Sequence, residues 1–140
     1  MVDKLIGHWK LDTTDNLEEY MKAMKVNIIL RKVARTLTNY EEITKEDDTW
    51  SIHITSTFKS AKMVFKIGEP FKDNTMDGRS VMTTFTIEDD TLIETQEPLN
   101  TSHAAGRFER KVMEDGRMCL TCIATEENVV AKRYHQPYKS

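Results

Sequence analysis

The sequence predicts an all-β protein, an antiparallel barrel or sandwich of about ten short strands. From about Asn39 onward, apolar residues recur at every second position, which is typical of strands with one buried face. Turn signals rich in Gly, Pro, Asn, Asp and Glu interrupt this pattern every roughly 8–12 residues. They occupy residues 46–48, 68–70, 76–78, 88–90, 98–100, 114–116 and 126–128.

One strand and two short helices are predicted ahead of this β region. Trp9 and Leu11 alternate with polar residues, which predicts the first strand. Asp15, three positions before Glu18, is the predicted N-cap of the first helix, and Asn27 is that of the second. In both helices, apolar residues follow the spacing i, i+3, i+4 and i+7. They are Leu17, Tyr20, Met21 and Met24 in the first helix and Leu30, Val33, Ala34 and Leu37 in the second.

Alternation in the β region places one row of side chains from each strand on a common inner face. A barrel of about ten such strands is wide enough to enclose a ligand. The clearest rows are Trp50, Ile52, Ile54, Ser56 and Phe58 in one strand and Ala61, Met63, Phe65 and Ile67 in the next.

Length and charge limit the classes of function. A chain of 140 residues is expected to form a single domain, residues 1–140. The net charge of -3 gives no reason to expect nucleic acid or an anionic membrane as the main partner. No apolar run approaches the roughly 20 residues that span a bilayer, and the N-terminus lacks the apolar segment of a signal peptide. These features predict a soluble cytoplasmic protein.

Cys119 and Cys122 have the C-x-x-C spacing that serves redox chemistry or zinc binding in other contexts. Their segment has the pattern of a strand, and residues three apart on a strand face opposite ways. We therefore expect no metal and no cofactor, with Cys122 as a small apolar filler. The sequence also contains no Gly-x-Ser-x-Gly motif, phosphate-binding glycine loop or His-rich metal spacing, so we do not expect an enzyme.

Arg110 is a charged residue in an otherwise apolar row. It lies two positions from both Phe108 and Val112, so on a strand all three side chains share one face. An Arg stays protonated in proteins, and burying an unpaired charge is costly. Two interpretations are open. In the first, Arg110 pairs with an internal Asp or Glu, or reaches water near a strand end. In the second, the strand lines a cavity, and Arg110 binds an acidic ligand there.

Several segments carry a resemblance to a known family. The strongest is Gly7-His8-Trp9-Lys10-Leu11 followed by Asn16-Leu17-Glu18-Glu19-Tyr20-Met21-Lys22. Further segments are Ser56-Thr57-Phe58-Lys59, Phe65-Lys66-Ile67-Gly68-Glu69-Pro70-Phe71 and Asp77-Gly78-Arg79. In this order they resemble the intracellular lipid-binding proteins of the calycin superfamily, which are fatty-acid-binding and cellular retinoid-binding proteins. Leu17 departs from the Phe or Tyr that is usual in this family.

The resemblance implies a ten-stranded antiparallel up-and-down β-barrel, slightly open like a clam, whose mouth is capped by a helix-turn-helix lid. It also implies an internal cavity with a portal that opens by movement of the second helix. The residues assigned to the cavity and portal are Phe58, Leu30, Val33, Ile52, Ile54, Met63, Phe65 and Phe108.

In this family, two Arg residues and a Tyr bind the ligand carboxylate. By resemblance, Arg110 is the first Arg and Arg133 the second, while His135 occupies the Tyr position and Tyr134 lies one residue early. Alternation places Arg133 and His135 on one face of the last strand. A register shift of one residue would instead direct Lys132 and Tyr134 inward.

The resemblance implies a carrier that reversibly binds a long-chain fatty acid, with its carboxylate held by two internal Arg residues. A cellular retinoic-acid-binding protein is the alternative, because residues 26–34 look more like the retinoid branch. A second alternative is a barrel that binds no ligand and serves as an interaction module. Arg31, Lys32 and Arg35 form a basic helix face that is either simply solvated or a docking surface for an acidic membrane or protein. We expect a monomer.

Overall fold

The computed structural model describes residues 2–139, and in this part of the chain the strands join into one antiparallel sheet. A 3₁₀ turn, Val2–Leu5, precedes the first strand. Two helices follow that strand: α1 is Leu17–Ala23 and α2 is Ile28–Thr36. The strands are β1 Gly7–Asp15, β2 Tyr40–Glu46, β3 Thr49–Thr55, β4 Ser60–Lys66, β5 Phe71–Asn74, β6 Ser80–Glu88, β7 Thr91–Pro98, β8 Gly106–Val112, β9 Met118–Ala124 and β10 Val129–Pro137.

The sheet curls into a nearly closed barrel, and β1 joins its two halves by pairing with both β2 and β10. The strand order is β4-β3-β2-β1-β10-β9-β8-β7-β6-β5, so β4 and β5 are the two edges and the barrel is slightly open between them. Each of the other strands pairs with its neighbours in the chain, which is the up-and-down arrangement. Over residues 2–139, the predicted ten-stranded barrel is confirmed.

Aromatic side chains fill the opening between β4 and β5. The rings of Phe65 on β4 and Phe85 on β6 stack with their centroids 3.7 Å apart. Phe71 on β5 lies parallel to both, at 6.3 Å from each. The amide of Gly68 also donates to the Phe85 carbonyl at 2.8 Å. Ring stacking thus holds the two edges together where the backbone ladder is interrupted.

The two helices form the predicted lid over one end of the barrel. Tyr20 and Met21 of α1 are buried against β9 and β10. The side chain of Asn27 caps α2 by accepting from the Leu30 amide at 3.0 Å, as predicted. In contrast to α1, α2 has no fully buried residue. The second helix is therefore the more loosely held part of the lid.

The prediction that Asp15 caps α1 is wrong. Strand β1 continues through Asp15, which pairs with Lys132 of β10. Asn16 precedes the helix in the left-handed conformation with φ of 61°, and its side-chain amide donates to the Val130 carbonyl at 2.9 Å. The long-range pairing with β10 thus moves the boundary by one residue, which the local capping pattern does not reveal.

The interior has two apolar clusters, one at each end of the barrel. At the end away from the helices, large side chains pack together without α1 or α2, and Trp9 donates its indole N–H to the Leu5 carbonyl at 2.8 Å. At the helix end, the lid packs on smaller residues of β9 and β10, such as Cys122 and Ala131. Both cysteines lie on β9 as buried free thiols. In residues 2–139, no helix is long and apolar enough to cross a bilayer.

Candidate functional site

A cavity of about 250 Å³ lies between the lid and the inner faces of the strands. This volume is close to the lower end of the range of about 300–1,000 Å³ for ligand pockets. Most of the wall is apolar, and α1, α2, β3, β4, β8 and β9 all contribute to it. Representative apolar residues are Met21, Leu30, Ile54, Met63, Phe108 and Leu120.

Arg110 lies on the inner wall of this cavity and is 2% exposed. Strand pairing places it between Leu92 of β7 and Leu120 of β9. Its Nε donates to Oε1 of Glu41 at 3.1 Å, and its Nη1 donates to Oε1 of Glu94 at 2.9 Å. Arg110 therefore has internal carboxylate partners and also faces a cavity, so each of the two sequence interpretations describes part of its environment.

The two carboxylates are themselves buried, at 3% exposure each. Burial is the largest single effect on Glu41 and disfavours its charged form, but the nearby positive charges, that of Arg110 first, and the hydrogen bond from Arg110 together lower the pKa of Glu41. Burial likewise disfavours the Arg110 cation, and the charges of Glu41 and Glu94 outweigh it and raise the pKa of Arg110. Arg110 thus joins Glu41 and Glu94 into one buried cluster of ion pairs inside the barrel.

Gln96 and His135 extend the cluster, Gln96 on the cavity wall and His135 behind it. The Gln96 amide donates to Oε2 of Glu94 at 2.9 Å, whereas its Oε1 is buried without a hydrogen-bond partner. Nε2 of His135 lies 3.8 Å from Oε2 of Glu41. Burial lowers the pKa of His135, against the opposing effect of the Glu41 charge. His135 is 1% exposed and lies behind Glu41, not on the cavity wall.

Arg133 is the second inner Arg of the cavity wall. With the Asn39 amide oriented to suit its neighbours, Oδ1 of Asn39 accepts from Nη1 and Nη2 of Arg133 at 3.1 and 3.2 Å. Nε of Arg133 is buried without a hydrogen-bond partner, and within residues 2–139 Arg133 forms no salt bridge. Arg133 therefore differs from Arg110, because its charge is not matched by an adjacent carboxylate.

The register of β10 directs Arg133 and His135 inward. Lys132 is exposed, and Tyr134 lies on the outer face, where the guanidinium carbon of Arg117 is 4.8 Å from its ring centroid. The slipped register, with Lys132 and Tyr134 inward, is not the one observed. Of the four residues expected at the carboxylate, the structure brings Arg110 and Arg133 to the cavity wall, places His135 behind it, and separates Tyr134 from it.

Of the eight residues expected to line the cavity and portal, six lie on the cavity wall and two do not. Those on the wall are Leu30, Val33, Ile54, Phe58, Met63 and Phe108. Ile52 and Phe65 point inward but belong to the packed cluster at the other end of the barrel. A period of two residues identifies the inner face of a strand, but it does not give the depth of a residue along the barrel axis.

A second ion pair, between buried Arg79 and partly buried Asp77, lines the cavity near the turn between β5 and β6. Arg79 is 5% exposed, and its Nε donates to Oδ2 of Asp77 at 2.9 Å. Its Nη1 donates to the Ala104 carbonyl at 3.0 Å. Asp73 lies on the same wall, and burial, followed by the charge of Glu94, raises its pKa.

The charged side chains on the cavity wall balance in number. Among the described residues, four basic and four acidic side chains line it. The basic ones are Lys59, Arg79, Arg110 and Arg133, and the acidic ones are Glu41, Asp73, Asp77 and Glu94. The cavity therefore has no excess of positive charge, which the two predicted Arg residues alone would have given it.

The acidic members of this wall were not among the site residues predicted from the sequence. The sequence pattern could have located them. Glu41 lies two positions before the buried Ile43, and Glu94 and Gln96 lie two and four positions after the buried Leu92, so each shares the inward face of its strand. A polar residue in the inward phase of a predicted strand is thus the feature that would have located them.

The basic face of α2 is partly neutralised by α1. Nε of Arg31 donates to Oε1 of Glu18 at 3.1 Å, and its Nη1 donates to the Val26 carbonyl at 2.8 Å. Nη1 of Arg35 lies 4.0 Å from the other oxygen of Glu18. Lys32 is exposed. Arg31 thus ties the two helices together, which the sequence pattern alone did not indicate.

The chain is similar to known proteins over nearly its whole length. The chain matches the model of the lipocalin / cytosolic fatty-acid binding protein family over residues 6–139. It is 38% identical over 136 residues to sodium/calcium exchanger regulatory protein 1 of Doryteuthis pealeii, covering 97% of this chain and 98% of that protein. It is 39% identical over 120 residues to fatty acid-binding protein homolog 7 of Caenorhabditis elegans, covering 86% and 87%.

Two solved structures show the same fold. Apo lipid binding protein 8 of Caenorhabditis elegans superimposes with a TM-score of 0.91 at 32% identity, covering 99% of this chain and 98% of that one. The Schistosoma mansoni fatty acid binding protein in complex with arachidonic acid gives a TM-score of 0.89 at 27% identity, with the same coverage.

Proposed function

The chain belongs to the lipocalin / cytosolic fatty-acid binding protein family, and we propose that it is a single-domain cytoplasmic carrier that reversibly binds a long-chain fatty acid in its cavity. Relatives that are named fatty acid-binding proteins support this ligand class. So does the solved relative that holds arachidonic acid. The proposed activity is sequestration and release, not catalysis.

One observation carries the proposal: the wall of a largely apolar cavity includes Arg133, a partly buried cation whose buried Nε is unpartnered and which has no carboxylate partner in the described chain. Burial of an acyl chain contributes roughly 0.8 kcal/mol per CH₂. A long chain thus gains on the order of 10 kcal/mol before ordering costs are subtracted. The carboxylate then accepts a charge-assisted hydrogen bond from Arg133.

Arg110 is the second proposed partner of the carboxylate. Its bonds to Glu41 and Glu94 use Nε and Nη1, so Nη2 is the atom that we assign to the ligand. Because two carboxylates already share its charge, Arg110 attracts an anion less strongly than Arg133 does. His135, in the position where the family has Tyr, acts on this site through Glu41.

The portal is proposed to lie between α2 and the turn that follows β3. Phe58 in this turn is 48% exposed, and Leu30 and Val33 of α2 complete the lining beneath it. Since α2 has no fully buried residue, it is the part of the lid that opens most readily. Movement of α2 away from Phe58 would admit the acyl chain.

A second candidate function is docking of the lid on an acidic surface. Ile28 and Ile29 at the start of α2 are 57% and 71% exposed, beside the exposed side chains of Lys32 and Arg35. Apolar and basic side chains on one exposed helix favour contact with an anionic membrane or protein. Arg31 contributes less to this surface than its sequence position suggests, because Glu18 pairs with it.

The proposal is tested by extracting lipid from freshly purified protein and identifying it by mass spectrometry. We expect a long-chain fatty acid in an amount comparable to that of the protein. A retinoid in the extract would favour the alternative ligand. Protein that carries no lipid and binds neither added fatty acid nor added retinoic acid would be an interaction module instead of a carrier.

A further inference from the structure

One buried hydrogen-bond acceptor on the cavity wall has no partner among residues 2–139. It belongs to Gln96 of β7, which lies on this wall and is 6% exposed. The Nε2 atom of Gln96 donates to Oε2 of Glu94 at 2.9 Å, whereas Oε1 is unpartnered. A carboxylate only accepts hydrogen bonds, so the amide nitrogen has to face Glu94, and the amide oxygen is turned away from it. Glu94 therefore fixes the direction in which Gln96 presents its oxygen.

The surroundings of this oxygen are apolar. A Cβ atom added to Gly106 of β8 would lie 3.1 Å from Oε1 of Gln96, 3.2 Å from Cε of Met24 and 3.5 Å from Cε2 of Phe108. The oxygen thus shares its corner of the cavity with a glycine, a methyl group and the edge of an aromatic ring, at the C-terminal end of α1. None of these three side chains carries a hydrogen-bond donor. The acceptor is therefore exposed to whatever part of a ligand fills this corner.

The other amide side chains on the wall already use their oxygen atoms. Oδ1 of Asn39 accepts from Arg133, and Oδ1 of Asn74 accepts from Oγ of Ser80 at 3.0 Å. Gln96 is the remaining amide on this wall. A hydrocarbon chain that covers its oxygen offers no donor in return, and an unsatisfied buried acceptor is costly. A hydroxyl group on that chain would supply the missing donor.

We propose that the cavity is specific for a hydroxylated long-chain fatty acid, whose hydroxyl group donates a hydrogen bond to Oε1 of Gln96. This inference rests on the proposed carrier function and names the class of fatty acid that is carried. The ligand carboxylate remains ionised and binds Arg133 and Arg110 as before, and Glu94 keeps its bonds to Arg110 and Gln96. Gln96 is thus a specificity-determining residue that is separate from the carboxylate site.

The hydrogen-bonded chain between the two sites indicates where the hydroxyl lies on the ligand. Nη1 of Arg110 and Nε2 of Gln96 each lie 2.9 Å from one oxygen of Glu94, so these two nitrogen atoms are at most about 8 Å apart. Oε1 of Gln96 lies on the far side of its amide from Glu94. A long acyl chain extends well beyond this distance from its carboxylate. The hydroxyl therefore belongs near the middle of the chain, not beside the carboxylate.

A cavity without such an acceptor would select the opposite way. A hydroxyl group that enters an apolar cavity loses its hydrogen bonds to water, and without a new partner this loss weakens binding by about tenfold or more. A ketone at the same position has a similar size but can only accept hydrogen bonds, so it would oppose its oxygen to that of Gln96. Preference for the hydroxyl over both the ketone and the unsubstituted chain is therefore diagnostic.

The experiment compares octadecanoic, 10-hydroxyoctadecanoic and 10-oxooctadecanoic acids by displacement of a fluorescent fatty acid from the native protein. We expect the hydroxy acid to bind at least as tightly as the unsubstituted acid and about tenfold more tightly than the oxo acid. A Kd of the hydroxy acid equal to or above that of the oxo acid would overturn the inference.

The variant Gln96→Leu identifies the residue. We expect the ratio of the Kd of the hydroxy acid to that of octadecanoic acid to rise about tenfold. The ratio cancels effects that are common to both ligands, including the loss of the bond to Glu94. The matched control is Gln136→Leu on the exposed side of β10, which should leave the ratio as it is. An unchanged ratio in folded Gln96→Leu would contradict the assignment, and if this variant does not fold, the three acids on the native protein decide.

Failure of this inference is distinguishable from failure of the carrier function. If none of the three acids binds, the carrier function is wrong. If octadecanoic acid binds and the hydroxy acid is not preferred over the oxo acid, only the inference is wrong.

Discussion

Arg110 and Glu94 form a diagonal pair across the neighbouring strands β8 and β7, with Nη1 and Oε1 2.9 Å apart and both side chains sealed from bulk water. Glu41 on β2 accepts a second hydrogen bond from the same guanidinium, donated by Nε at 3.1 Å. This cluster lies between the packed end of the barrel and the hollow end. It therefore marks the inner limit of the cavity and fixes the charge that a ligand meets there.

Removing Arg110 tests the structural role of this cluster. In Arg110→Met, Glu41 and Glu94 stay buried without their cation, so we expect a loss of about 3–5 kcal/mol in the free energy of unfolding at neutral pH. Urea denaturation measures this loss. Adding Glu41→Gln and Glu94→Gln to the same chain should restore most of it, because the uncompensated charges are then gone.

The control for this prediction is Arg107→Met on the same strand. Arg107 pairs with Glu109, and both side chains are about one-third exposed, so the loss should be below about 1 kcal/mol. Equal losses for Arg107→Met and Arg110→Met would contradict the assignment of Arg110 to a buried charge cluster.

Removing the charge of Arg133 tests the ligand site. We expect Arg133→Gln to weaken binding of hexadecanoic acid by roughly 10–100-fold, since a charge-assisted hydrogen bond contributes about 1.5–3 kcal/mol. Binding of the matching alcohol should change much less. Displacement of a fluorescent fatty acid measures both affinities, with Lys132→Gln as the exposed neighbour control. An equal loss for acid and alcohol would remove the proposed carboxylate contact.

Alternation along a strand determines which side chains face the interior, but not how deep in the barrel they lie. It identified the inner face of β8 and β10, and so placed Arg110 and Arg133 inside the barrel. It did not separate Ile52 from Ile54, although Ile52 is in the packed cluster and Ile54 lines the cavity. These residues are two positions apart, about 7 Å along one strand, and depth depends on how the whole barrel is filled.

The partners of Arg110 were harder to predict for a different reason. Glu41 is 69 positions away in the chain, and only closure of the barrel brings the two side chains together. The need for an acidic partner followed from the energetics of a buried charge, but the choice among the 23 Asp and Glu residues did not. Similarly, the pairing of β1 with β10 overrode the local pattern that marked Asp15 as a helix cap.

His135 should make the stability of the protein depend on pH. Burial lowers its pKa in the folded state below the ordinary value of about 6.5, so the unfolded chain binds the proton first as the pH falls. The stabilising contribution is therefore complete above about pH 6.5 and is lost as the pH falls from there toward the folded-state pKa. Thermal unfolding from about pH 7.5 to about pH 5 should show this loss. His135→Gln should remove it, and His8→Gln on the partly exposed side of β1 should retain it.

Cys122 should be unreactive in the folded protein although it faces the cavity. Burial raises the pKa of its thiol to about 12, compared with about 8.5 for a free thiol, so at about pH 8 the reactive thiolate is scarcer by roughly 10³-fold. In a Cys119→Ser background, we expect negligible reaction with a disulfide reagent over minutes in buffer and complete reaction in urea. Rapid stoichiometric reaction of the folded protein would show that the lid leaves the cavity wall open to polar reagents, contrary to the burial of Cys122 beneath α1.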